Sequence, residues 1–308
     1  MSSSPPGMLL PLGVEVPFSD IELALGRNGA DERRRVPGRA LTATLVVLGS
    51  HARLAEAAEA VEQLPDIGVR AILISNGTNT APTVRVHEYS IALDGLRPDY
   101  LNNAVAALRL SSLPTVVWWR GGAPEMLDGL ADLADRLIFD AEEPGAVWAR
   151  AAALAERTAI SDIRWARLTR WRALMAHFFD IPDVRREATS FNRLRIEGAD
   201  VDAGRLYAGW LASSLRWTPD VAVDVRIRPG GASIERIELG DGEQALTLQL
   251  VPGTSCVETA VRVKGHVEAS RVVSLGDQRL AVLLGEELRI RSRDLAFEHA
   301  VAGLQGVA

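Results

Sequence analysis

Between residues 41 and 160 the chain alternates β-branched apolar runs with Ala- and Glu-rich segments, and this restricts the fold more than any other feature. TATLVVLG (42–49) and VRAILISNG (69–77) are mainly apolar runs of strand length, as expected of strands buried on both faces. LAEAAEAVEQLP (54–65) between them reads as a helix. VRVHEYSIALDG (84–95) follows without an intervening helix, so it is expected antiparallel to a neighbour or as an inserted hairpin. PDYLNNAVAALRL (98–110) sets Leu101, Val105 and Leu108 on one helical face. PTVVWW (114–119) and RLIFD (136–140) read as strands, with helices over PEMLDGLADLAD (124–135) and PGAVWARAAALAERT (144–158). Helical crossovers of this length imply a mainly parallel, helix-covered sheet. The expectation is an α/β domain over 1–160, with residues 1–12 disordered. SDIELAL (19–25) opens a short helix with Ser19 and Glu22 at capping-box spacing, and Arg33, Arg34 and Arg35 read as a solvated run.

The pattern changes after residue 160. TRWRALMAHFFD (169–180) sets Trp171, Leu174, Met175, Phe178 and Phe179 in one apolar stripe at helical spacing. EATSFNRLRIEG (187–198) reads as a strand and DAGRLYAGWLASSLRW (202–217) as a helix. Then VAVDVRIR, ASIERIEL, QALTLQLV, CVETAVRVK and SRVVSL alternate in period two, separated by PGG, GDGE, PGT and KGH. Tight turns between alternating runs predict antiparallel hairpins. With a closing helix near DLAFEHAVAGL (294–304), residues 161–308 are expected to form an α+β domain with an antiparallel meander sheet.

Composition excludes several classes. At 308 residues and 47% hydrophobic the chain can bury a substantial core. A formal charge of −6 argues against nucleic-acid binding, which needs a basic excess. No apolar run reaches the roughly 20 residues of a membrane span, and the N-terminal stretch lacks the regions of a secretory signal, so a cytoplasmic protein is expected. Cys256 stands alone, which excludes an intramolecular disulfide and multi-cysteine zinc sites; it reads as a small buried hydrophobe. GxxxxGK[ST], GxGxxG after a strand, HExxH and GxSxG are all missing, and His51, His87, His177, His266 and His299 show no ligand spacing. No catalytic residue, metal site or cofactor is assigned on these grounds.

Two clusters stand out. In LPTVVWWRGGAP (113–124), Trp118 and Trp119 point to opposite faces of a strand, so each ring can pack beneath a helical layer. Arg120, Gly121 and Gly122 then fall at the carboxyl end of a parallel strand, where open α/β sheets take ligands. With free amides after Pro124, they form a candidate anion or sugar-phosphate site; a tight turn without ligand is the plainer alternative. In DIRWARLTRWRALMAHFFD (162–180), arginines interleave with Trp165 and Trp171. Either the indoles are buried beneath arginine stems, or the mixture is a recognition surface.

These blocks, together with ADRLIFD and LYAGWLASSLRW, occur in an order and spacing that resembles the glucose-6-phosphate dehydrogenase assembly protein OpcA family over residues 40 to 220. The resemblance implies a non-catalytic partner that binds glucose-6-phosphate dehydrogenase in the oxidative pentose phosphate pathway and promotes its active oligomer. It makes Trp118, Trp119, Arg120, Arg164, Trp165, Arg167 and Trp171 the candidate partner-binding residues. Photosynthetic members are associated with thioredoxin-dependent cysteine switching, and a single Cys256 leaves no intramolecular version of it here. A sugar-phosphate-binding enzyme or sensor using the turn of Arg120, Gly121 and Gly122 is the alternative.

Overall fold

A computed structural model describes residues 14–24, 40–64, 67–75, 82–87, 90–217, 221–264 and 269–304. The expectations for residues 1–12 and for Arg33 to Arg35 lie outside the described residues. The chain divides into two compact units, and the division is not a single cut. Residues 1–163 and 279–293 form the first unit; residues 164–278 and 294–308 form the second.

In the first unit the order is β1 (Val14–Glu15), β2 (Leu41–Gly49), α1 (His51–Glu62), β3 (Gly68–Ser75), β4 (Thr83–His87), β5 (Ser90–Asp94), α2 (Leu101–Leu108), β6 (Thr115–Trp119), α3 (Met126–Ala131), β7 (Arg136–Phe139), α4 (Gly145–Trp148), α5 (Ala151–Ala155) and β8 (Ala159–Asp162). The eight strands lie side by side as β1-β4-β5-β3-β2-β6-β7-β8. From β5 to β8 every pairing is parallel; β4 pairs antiparallel with β5, and β1 antiparallel with β4. β4 and β5 are therefore an antiparallel pair whose second strand joins the parallel sheet. Counted along the chain, the six parallel strands run 3-2-1-4-5-6, the order of dinucleotide-binding sheets, which reverses between the first and fourth strands. All five residues of β6 and all four of β7 are buried, as strands covered on both faces must be. Leu101, Val105 and Leu108 of α2 are buried together, each worth about 2 kcal/mol of apolar burial.

Several expectations for this unit need correction. The helix expected over 144–158 is two short pieces, and Ala159–Asp162 adds a sixth parallel strand. Four residues, AISD, are too few to show a period. At the amino end, Ser19 Oγ bonds Asp20, while Glu22 Oε1 accepts from Arg70 at 2.9 Å, so the capping box is not made. The unit is completed from far along the chain by a helix over Leu280–Arg289 that the sequence pattern did not reveal. Glu287 on that helix meets Arg136 of β7 at 2.9 Å, both side chains almost wholly buried, and Arg136 also donates to Ser292 O at 3.0 Å. A buried carboxylate needs such a partner.

The second unit comprises most of α6 (Ile163–Arg167), then α7 (Thr169–Phe178), α8 (Pro182–Glu187), β9 (Arg193–Gly198), α9 (Val201–Leu215), β10 (Ala222–Ile227), β11 (Arg236–Gly240), β12 (Ala245–Leu250), β13 (Cys256–Arg262) and β14 (Ala269–Ser274). The helix at 280–289 is α10, and α11 (Leu295–Gly303) returns to this unit. The sheet order is β10-β9-β11-β12-β13-β14. β9 and β11 to β14 pair antiparallel, but β10 runs parallel to β9 because α9 carries the chain back between them. The sheet is mixed, and only its larger part is a meander. Trp171, Met175 and Phe178 of α7 are buried, at i, i+4 and i+7. α9 and α11 cross at backbone contact: a Cβ on Gly209 would lie 2.3 Å from Ala300 O, and one on Gly303 2.4 Å from Gly209 O. Only glycine permits that approach.

Candidate functional site

Where the strand order of a parallel sheet reverses, the two flanking turns diverge and leave a crevice at the carboxyl ends of the strands. Here that point lies between β2, ending at Gly49, and β6, ending at Trp119, and Arg120 is the next residue. The Arg120 backbone N–H continues the ladder to Leu48 O at 2.8 Å. Its side chain is 2% exposed. Nε donates to Asp140 Oδ2 at 2.7 Å, Nη2 to Glu56 Oε2 at 2.7 Å and Nη1 to Arg53 O at 2.5 Å. The guanidinium also lies 4.6 Å from the centre of the Trp118 ring. Arg53, in the first turn of α1, completes the network, reaching Asp140 Oδ2 at 3.1 Å and Asp140 O at 2.6 Å. Gly49 makes room, since a Cβ there would lie 3.2 Å from Arg53 Cβ and 3.3 Å from Arg120 Cβ.

A dinucleotide site of this topology needs a glycine-rich first turn, where pyrophosphate meets helix amides. The chain has Gly49-Ser50-His51, with two arginine stems and the Asp140 and Glu56 carboxylates at the crevice. These residues do not fit a pyrophosphate. The same geometry corrects the anion expectation for Arg120: two carboxylates already hold its charge. Gly121 and Gly122, at φ 143° and 127°, form the turn that leads the chain away, conformations other residues rarely adopt. Trp118 and Trp119 are 0% and 3% exposed, so their rings pack within the unit.

Beside the crevice, the ends of β3 and β5 carry Ser75 and Asp94. Ser75 Oγ donates to Asp94 Oδ1, and His51 Nε2 lies 3.1 Å from Asp94 Oδ2. The serine therefore bonds the carboxylate and not the imidazole, which is not the arrangement of an activated nucleophile. Burial raises the Asp94 carboxyl, but the Ser75 and His51 hydrogen bonds outweigh it and hold the group below its ordinary value. Among the described residues no group of three or more His, Cys, Asp or Glu is placed to hold a metal ion, and no helix is long and apolar enough to cross a membrane.

The second cluster is also turned inward. Trp165 is 1% exposed; its Nε1 donates to Asp294 Oδ2 at 2.7 Å, its ring meets Phe297 at 5.9 Å, and the Arg172 guanidinium lies 3.4 Å above it. Asp294 caps α11 by accepting from Phe297 N at 3.0 Å. Arg164 Nε donates to Asp200 Oδ2 at 3.0 Å, and Asp200 caps α9 through Asp202 N and Ala203 N. Adjacent residues thus secure the capping carboxylates of two helices. Trp171 is 4% exposed, and its carbonyl accepts from the buried Tyr207 hydroxyl at 3.2 Å; desolvation pushes that phenol well above its usual value. Arg167 is half-buried. Sequence reasoning missed Arg53, Glu56 and Asp140, whose meeting depends on strand order. It also missed Asp200 and Asp294, although an Asp ahead of a helical pattern was a visible capping signal.

Residues 158–301 match the family described as the C-terminal domain of a glucose-6-phosphate dehydrogenase subunit, of OpcA type. Over those residues the chain carries a domain of that family, and OpcA proteins are similar to it. It is similar to a protein carrying the name OpcA, an OxPP cycle protein, from Synechocystis sp., with 27% identity over 248 residues covering 66% of this chain and 51% of the relative. Its OpcA counterpart from Synechococcus elongatus is 34% identical over 143 residues, covering 44% of this chain and 32% of that protein. The chain therefore spans about half, or less, of the length of the curated OpcA relatives it matches. Among solved structures, an apo levoglucosan dehydrogenase aligns over 85% of this chain and 91% of its own at 9% identity, with a TM-score of 0.44; a likeness that remote carries no argument.

Proposed function

We propose that this chain is a non-catalytic assembly factor and allosteric activator of glucose-6-phosphate dehydrogenase, acting in the cytoplasm. It binds the dehydrogenase and favours its active oligomer. The observation that carries this reading is the Arg120 network: a dinucleotide-type strand order whose ligand crevice holds the chain's own Arg120, Asp140, Glu56 and Arg53. The match to a family named for a dehydrogenase supports the choice of partner. An effector of this kind acts only through tighter binding to the active state than to the inactive one.

Size-exclusion chromatography with light scattering of the two proteins together, with dehydrogenase kinetics on the fractions, tests it. The expected result is a joint peak whose dehydrogenase activity exceeds that of the enzyme alone. Separate elution with unchanged activity overturns the reading. Of the candidate partner-binding residues, Trp118, Trp119, Trp165 and Trp171 serve the partner indirectly by holding each unit in shape. Arg167 offers the accessible contact, and Arg167→Glu is expected to weaken the complex without lowering the melting temperature.

A further inference from the structure

The six-stranded sheet has one apolar face and one charged face, and the charged face contains a hollow. Arg193 of β9, Gly240 of β11, Ala245 of β12 and Arg262 of β13 are in register across four adjacent strands. Strand spacing puts the two arginine Cα atoms roughly 14 Å apart, with two residues of minimal bulk between them. Gly240 and Ala245 are nonetheless buried, and a Cβ on Gly240 would meet the Gln244 backbone carbonyl. Arg195 is two residues along β9 from Arg193 and faces the same way. The three arginines, with Glu238 and Gln244, line a concavity of about 120 Å³.

What separates Arg193 and Arg262 from other arginines on the face is that neither has a carboxylate partner among the described residues, while Arg195, in register between Asp224 and Glu238, has only a long pair. Among the described residues the Arg193 side chain makes no hydrogen bond or ion pair. Arg262 Nε donates to a backbone carbonyl, Glu243 O, at 3.0 Å. Arg195 approaches Asp224 only to 3.7 Å, and its buried Nε has no hydrogen-bond partner. The neighbouring acids are engaged elsewhere: Glu238 with Arg236 at 2.5 Å and Asp224 with Arg226 at 2.7 Å. Two guanidiniums without a carboxylate partner, Arg193 and Arg262, and a third held only by a long pair to Asp224 therefore surround a small hollow, with Glu238 at its edge already bonded to Arg236.

We propose that this hollow binds a phosphate-type oxyanion, either the free ion or the phosphoryl group of a small phosphomonoester. Guanidinium forks match tetrahedral oxyanions donor for acceptor, and several together give charge-assisted bonds at fixed angles. The volume suits one such group, with the rest of an ester in solvent; it is too small to enclose an ordinary organic ligand. The site is separate from the Arg120 turn and is tested without the dehydrogenase, so its failure leaves the proposed function standing.

Isothermal titration calorimetry of the full chain at low ionic strength, with inorganic phosphate, a hexose 6-phosphate and the unphosphorylated hexose, tests the proposal. Saturable binding of one or both phosphates, with none for the hexose, is expected. Arg193→Gln and Arg262→Gln should each weaken it about tenfold or more, as loss of a charge-assisted contact implies. Arg170→Gln, on exposed α7 surface, should leave it unchanged. Tighter binding of the ester identifies a metabolite ligand, and equal or weaker binding identifies the free ion; either supports the site. Thermal melts of the ligand-free variants should match the parent protein, since both arginines are exposed. No saturable phosphate binding, or binding that survives both substitutions, overturns it.

Discussion

The Trp118–Arg120 cluster and the Arg164–Trp171 cluster are built from the same two residue types, and both direct them inward, yet they use them differently. In the first, the arginine is the centre: Arg120 holds Asp140 and Glu56 at the point where the sheet reverses, and the indoles around it serve as apolar surface. The Trp118 and Trp119 Nε1 atoms have no hydrogen-bond partner. In the second, the indole itself is a polar clamp, since Trp165 Nε1 bonds the carboxylate that caps α11. A Trp-Arg sequence therefore says nothing by itself about which group carries the specific contact.

The largest expected effect breaks the first cluster. Arg120→Met keeps most of the stem and removes the charge, leaving Asp140 with Arg53 alone in a nearly closed crevice. Breaking a buried pair of this kind costs about 3–5 kcal/mol. The Glu56 contact adds little, because that side chain is 55% exposed. Urea denaturation measures the difference; a loss below about 1 kcal/mol would show that the network is no more than a surface pair.

Next comes the comparison of indoles. Trp165→Phe removes the bond to Asp294, a charge-assisted contact worth about 2 kcal/mol beyond the change in volume. Trp118→Phe removes an N–H that bonds nothing, so the volume change and a weaker contact beneath Arg120 are what remain. The melting temperature of the Trp165 variant should therefore fall further than that of the Trp118 variant. Equal losses would reduce both residues to apolar filling. A smaller effect, about 1 kcal/mol, is expected from Arg164→Ala, which loosens Asp200 but leaves its two amide bonds to α9 in place.

The parts legible in the sequence were those with a local period. Mainly apolar runs marked β2, β3 and β6, and alternation between glycine turns marked β11 to β14. What escaped depends on distant residues. Ala159–Asp162 becomes a strand only because β7 lies beside it, and β10 turns parallel only because α9 separates it from β9. Arg120 invited an anion-site reading because the glycines after it were visible in sequence while Glu56 and Asp140, 64 and 20 residues away, were not. The hollow at Arg193 and Arg262 was illegible for the same reason, since strand register alone sets them around Gly240 and Ala245.

The smallest expected effect uses pH to separate charge from packing beside the first cluster. Asp94 is partly desolvated, which raises its carboxyl, but the Ser75 hydroxyl and then His51 bond the ionised form and bring it below the ordinary 3.8. A carboxyl depressed by folding stabilises the native state at pH above its unfolded value, and the contribution disappears as pH falls through the folded value. Ser75→Ala removes the stronger of those bonds and should cost about 1 kcal/mol at pH 7. The gap between the two proteins should then narrow as the pH falls through the folded-state range of Asp94, first in the variant and then in the parent, and close once Asp94 is protonated in both. Urea midpoints taken across acid pH give the answer. A gap that stays constant through that range would mean the hydroxyl acts by packing in the sheet, and the first cluster would then owe its electrostatic character to Arg120 alone.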